Sequence, residues 1–158
     1  MEQLAQVYET LGMEKVQTYI QSGNVIFEHK KTDAHKLTNE IQNQIRKSFG
    51  FEVVVILRTG NEFRSLIKKT PFDKRDPTKL YVAFLSDLHG NVPIEEISGA
   101  RGKGEEYSVS GKEVYLYCPN GYGRTKLTNN FFEDKLGVAA TTRNWNTVNT
   151  LYSMTVRR

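Results

Sequence analysis

The sequence has one cysteine, Cys118, which excludes an internal disulfide and any cysteine-rich zinc site. Histidine is almost as scarce. His29, His35 and His89 are too scattered to suggest a metal centre, and none lies near Cys118 in sequence to form a nucleophilic pair with it. No apolar run approaches the roughly 18 residues of a membrane helix. The opening MEQLAQVYETLGMEK carries neither a basic n-region nor an apolar h-region, so it is not expected to be a secretory signal. These absences lead us to expect a cytoplasmic protein with no membrane partner, no metal and no cofactor.

What is present is ordinary globular material. The 158 residues are 38% hydrophobic and 25% charged, and Phe, Tyr, Leu, Ile and Val recur throughout, which argues against disorder. Charge is uneven. Residues 1–98 hold 13 basic and 13 acidic residues, whereas residues 99–158 hold 9 and 5, so the formal excess of +4 lies entirely in the last part. Local positive charge attracts anions. It is equally consistent with a mildly basic solvated surface.

The first half reads α-β-β-α-β-α. Leu4, Val7, Tyr8 and Leu11 recur at helical spacing before Gly12. A hairpin follows, with strands on either side of the turn Gln21-Ser22-Gly23-Asn24. Asp33 caps a helix over 34–49 whose face is Leu37, Ile41, Ile45 and Phe49, and Gly50 ends it. The β-branched run 51–57, FEVVVIL, predicts a buried strand. Asn61 is expected to cap a short helix bearing Phe63, Leu66 and Ile67. The proline-bearing stretch 70–79 is the best linker candidate, so two parts are expected, 1–72 and 73–158.

The second part reads β-α-β-β-α-α. It comprises a strand over 80–85, a short helix over 92–97, and a hairpin of 106–110 with 113–118 across Gly111-Lys112. Thr128 or Thr125 caps a helix ending at Gly137, and a last helix runs over 143–154. Adding one strand in front of the first half would make it β-α-β-β-α-β, the ferredoxin-like unit. No sequence repeat relates the halves. The fold class expected is therefore α+β, with a ferredoxin-like first part lacking its first strand and a second small α+β part ending in two helices.

Three stretches, TYIQSGNVIF at 18–27, NGYGRTKLTNNFFEDKLG at 120–137 and ATTRNWNTV at 140–148, resemble the bacterial family known as domain of unknown function 1697. The resemblance implies a two-part α+β protein with a ferredoxin-like first part, and it implies no known activity. Members of that family open with an apolar strand and an Arg-Gly-Ile-Asn-Val-Gly-Gly-like loop, whereas this chain begins within the helix that follows. The resemblance thus implies unpaired backbone near 25–28 and 52–57, to be met by residues upstream, by self-association in which another chain donates a strand, or by a rearranged sheet.

The chemistry-bearing segment is the loop Asn120-Gly121-Tyr122-Gly123-Arg124-Thr125-Lys126 between a strand and a helix. Two glycines permit close backbone approach, a helix start offers free N–H groups, and Arg124 and Lys126 add charge. It matches neither G-x-x-x-x-G-K-[ST] nor G-x-G-x-x-G, and a tight turn that needs glycine for geometry explains it equally well. Arg143 and Asn144, expected at the start of the last helix, would join the loop around one anion if the two helix starts converge. The bland alternative pairs Arg143 with Glu133 or Asp134. Trp145 is expected in the core. Cys118 sits where a helix dipole would lower its thiol pKa. Tyr115 and Tyr117 share a strand face that either stacks bases or covers a core. Glu105-Glu106 and Glu95-Glu96 read as solvated charge.

The expected function is an anion-binding module for nucleic acid or a phosphorylated small molecule. The ligand-contacting residues would be Asn120, Gly121, Tyr122, Gly123, Arg124, Lys126, Arg143 and Asn144. An enzyme acting on a phosphorylated or carboxylated metabolite, and a structural or oligomerisation protein without ligand, are the alternatives.

Overall fold

The computed structural model describes residues 2–20, 23–30, 33–88 and 91–157. Gln21 and Ser22 of the expected turn, and His89, lie outside the described residues. The chain forms two compact units. One runs to Leu57 and takes in the end of the chain from Met154, and the other is Arg58–Ser153. The mixed α+β class is as expected. Among the described residues no helix is long and apolar enough to cross a membrane.

In the first unit, helix α1 (Glu2–Thr10) presents Val7 and Tyr8 to the core. Strands β1 (Glu14–Tyr19) and β2 (Asn24–Glu28) pair antiparallel, with Thr18 opposite Val25. Helix α2 (Ala34–Phe49) starts where the Asp33 carboxylate accepts from the Lys36 N–H at 3.1 Å. It ends where Gly50, at φ +79°, donates to the Arg46 carbonyl. Its i, i+4 stripe of Leu37, Ile41 and Ile45 buries against Val7, Tyr8 and Met13.

The strand expected over 51–57 belongs to no ladder of the described residues. Val53, Val55 and Leu57 pack half-buried on the α2 core. Between them Val54 stays 65% exposed. The Val55 N–H is taken by the Gln42 side-chain carbonyl at 2.8 Å. β-Branched residues favour the extended conformation, but a strand also needs a neighbouring backbone in register. Among the described residues this sheet has β1 and β2 alone.

The second unit holds β3 (Leu80–Leu85), α4 (Ile94–Gly99), β4 (Glu106–Ser110), β5 (Glu113–Tyr117), α5 (Asn129–Leu136) and β6 (Ala140–Asn144). The sheet order is β4-β5-β3-β6, antiparallel at every pairing. This is the complete β-α-β-β-α-β unit. Helix α6 (Trp145–Val156) begins at Trp145, two residues later than expected. The preceding Ala-Thr-Thr-Arg-Asn, expected as the approach to that helix, is instead edge strand β6. Asn144 makes the switch, its side-chain oxygen accepting from the Thr147 N–H at 2.8 Å. The second part thus ends helix-strand-helix rather than in two successive helices.

One face of this sheet carries Ala83, Leu85, Val114, Leu116 and Cys118. It is covered by Ile97 of α4, Phe132 of α5 and Leu127, all fully buried. On the other face lies helix α3 (Gly60–Lys68), started by Thr59 rather than Asn61. The Thr59 hydroxyl accepts from the Glu62 N–H, and the Glu62 carboxylate accepts from the Thr59 N–H. Phe63 stacks on Phe84 with ring centres 5.4 Å apart, and the Tyr115 hydroxyl donates to the Leu66 carbonyl at 2.7 Å. The stretch read as a linker is pinned to the same face. Phe72 buries beside Tyr117, and Arg75 lies over the Tyr117 ring while pairing with Glu106 at 2.7 Å.

Candidate functional site

The loop leaves β5 through Cys118 and Pro119. Gly121 takes φ +90°, a conformation that favours glycine, and donates to the Cys118 carbonyl at 3.0 Å. A short 3₁₀ turn, Tyr122–Arg124, follows. The Arg124 and Thr125 N–H groups donate back to Gly121 and Tyr122, and the Leu127 N–H donates to the Thr125 hydroxyl. Helix α5 starts beyond the loop, capped by Thr128 through the Phe131 N–H. Of the loop's seven amides, those of Gly121, Arg124 and Thr125 are so occupied. The loop also offers side chains.

Those side chains differ in accessibility. Arg124 and Lys126 are exposed, and neither forms an ion pair among the described residues. Tyr122 is half-buried with its ring 5.0 Å from that of Tyr81. Asn120 is exposed, and its amide donates to the Lys103 carbonyl at 3.1 Å. Thr125 points inward and donates to Glu105 at 3.0 Å.

Arg143 is not brought to this loop. It sits on β6 opposite Val82, whereas the loop packs through Leu127 and Tyr122 on the face that carries Tyr81 and Ala83. Side chains alternate across a strand, so Arg143 faces the other side of the sheet. There its guanidinium donates to the Thr141 hydroxyl at 2.7 Å and the Thr142 carbonyl at 3.0 Å, and burial lowers its pKa. The expected convergence of two helix starts fails because residue 143 lies on a strand. Asn144 is exposed and occupied as the α6 cap. Trp145 is half-buried rather than fully in the core.

Two further expectations are corrected, and of the two readings of Tyr115 and Tyr117 the covering one holds. The Cys118 thiol is pushed up to about 11, not down, chiefly by burial and then by the nearby Glu105 charge, with the Thr125 hydroxyl acting in the opposite direction. Tyr115 and Tyr117 lie under α3, Phe72 and Arg75, so they form no open stacking face. Glu105 is not solvated charge but is 5% exposed, and Glu106 is paired with Arg75. Sequence reasoning missed Glu105 as a site element. Its neighbours in G-K-G-E look like a polar surface loop, and only the fold brings Thr125 to it.

The family described as "Protein of unknown function (DUF1697)" matches residues 1–115. The chain belongs to the DUF1697 family. Two of the stretches that carry the resemblance, 120–137 and 140–148, lie beyond the matched range. No curated protein matches. Among solved structures, the conserved bacterial protein SP0830 from Streptococcus pneumoniae is similar, with a TM-score of 0.72 and 19% identity over 99% of this chain and 88% of that one. At that identity the likeness shows the fold alone.

Proposed function

We propose that this DUF1697 protein is a nucleic-acid-binding module that contacts backbone phosphates through the loop Asn120–Lys126. The observation that carries this reading is the division of labour in the loop. Arg124 and Lys126 stand exposed with no acidic partner among the described residues, while Thr125 between them turns inward to Glu105. Exposed cations on a tight loop suit the repeated phosphates of a polymer. A cytoplasmic location fits this reading.

The test is titration of the intrinsic fluorescence of Trp145, the sole tryptophan, with single-stranded RNA, duplex DNA and a panel of nucleotides. Saturable polymer binding should weaken linearly in log affinity against log salt, by about 0.7–0.9 per phosphate contacted. Arg124→Ala combined with Lys126→Ala should remove about two such contacts and leave the melting temperature nearly unchanged. Undiminished polymer binding by that variant refutes the reading. So does tight, salt-insensitive binding of one nucleotide alone.

A further inference from the structure

The loop at 120–126 is bound to a second one. Residues 101–104, Arg-Gly-Lys-Gly, are all exposed and lead into Glu105. One oxygen of the Glu105 carboxylate accepts from the Gly102 N–H at 2.7 Å and from the Thr125 hydroxyl at 3.0 Å, so a single buried atom ties the loops together. The Asn120 amide adds a second tie at the Lys103 carbonyl, 3.1 Å away. The approach is close throughout. A Cβ at Gly102 would lie 3.2 Å from the Glu105 carboxyl carbon, and one at Gly104 would lie 3.2 Å from the Pro119 ring.

The charges on this joined surface are lopsided. Arg101, Lys103, Arg124 and Lys126 are exposed. The single carboxylate across the two loops is Glu105, which faces inward with its hydrogen bonds spent on the loops. An isolated anion at one loop leaves the other unused, whereas an extended strand of phosphates engages both.

We propose that residues 101–104 form the second half of the surface. One nucleic-acid strand would contact Lys103 and Arg101 as well as Arg124 and Lys126, and Glu105 would be the positioning residue that sets the two loops side by side. This rests on the reading of the 120–126 loop given above.

The experiment uses the full chain and a fluorescein-labelled, twelve-nucleotide oligothymidylate, with binding followed by anisotropy across a salt series. Arg101→Ala with Lys103→Ala should weaken binding about tenfold and flatten the salt slope by about 1.4, two single-strand contacts' worth. Glu105→Ala should also weaken binding, by a similar factor, although it removes a negative charge. Glu105→Gln keeps the accepting oxygen and should bind at least as well as the parent. Charge alone predicts tighter binding for both Glu105 variants, and loss in the alanine variant together with retention in the glutamine variant is the mark of positioning. Far-UV circular dichroism checks that each variant is folded.

An unchanged slope in the Arg101/Lys103 variant, with binding lost in the Arg124/Lys126 variant, overturns this inference and leaves the single-loop reading standing. Tighter binding by Glu105→Ala overturns the positioning role. Unchanged binding by the Arg124/Lys126 variant overturns both readings together.

Discussion

The two units begin from similar parts and arrive at different sheets. In the second, β3 lies between β5 and β6, and five of its six residues, all but Tyr81, are buried. Both its faces are covered, one by α4 and α5 and the other by α3. In the first, the more β-branched run 51–57 gains one packed side and, among the described residues, no ladder, and Glu52 and Val54 face water. Apolar content is alike in the two runs. What separates them is a partner on each edge, and so topology decides whether a β-prone run becomes a strand.

That contrast can be broken by substitution. The largest effect is expected at Phe132, fully buried beneath the four-stranded sheet. Phe132→Ala should cost about 3–5 kcal/mol in a urea titration, and a loss under about 1 kcal/mol would show that this core is not what holds the second unit.

Next comes alkaline pH. The Cys118 thiol is raised from 9 to about 11 in the folded protein, so its contribution is fully present below pH 9 and is lost as pH rises from there through 11. The loss is on the order of 2 kcal/mol. Tyr8 and Tyr115, each pushed up to about 12 by burial, add losses of the same sign above pH 10, one in each unit. Cys118→Ala should flatten the curve between pH 9 and 11 and leave the later fall, and an unaltered curve would reject the assignment.

Arg58 is of similar weight. It fastens the β4–β5 hairpin through Glu113 at 2.9 Å and the carbonyls of Leu85 and Lys112. Arg58→Ala should cost about 2 kcal/mol, read from the same titration, by leaving a mostly buried carboxylate underbonded. In the first unit, Ile41→Val should cost about 1 kcal/mol, with the exchange protection of β1 and β2 falling and that of β3 and β5 unchanged. Loss of protection in both units would show that they unfold as one. Val54→Thr, on the exposed side of the unladdered segment, should lie within about 0.5 kcal/mol of the parent in melting experiments.

Much of this was legible where a local signal suffices. Asp33 and Gly50 bracket α2, Thr128 and Gly137 bracket α5, and Gly111-Lys112 turns the β4–β5 hairpin. The 120–126 loop was legible too, because Gly121 sits where the backbone needs a positive φ. Edge strand β6 was hidden, since Ala-Thr-Thr-Arg-Asn shows no apolar alternation and follows no turn signal that distinguishes it from a helix approach. That one omission misplaced Arg143, because a residue's face on a sheet depends on knowing that it is in the sheet. The burial of Glu105 was beyond reach for a different reason. Its partner Thr125 is twenty positions away, and no periodicity links the two.

The shared carboxylate has an evolutionary consequence. Glu105, Gly102 and Thr125 make one hydrogen-bonded unit, so substitutions among them are not independent. Thr125→Val strips a donor from a buried charge while Glu105 is present, but costs far less once residue 105 is apolar. A lineage can therefore abandon the knot only through coordinated changes. Among relatives, positions 102, 105 and 125 should covary as a set, and the cations around them should drift freely so long as their number is kept.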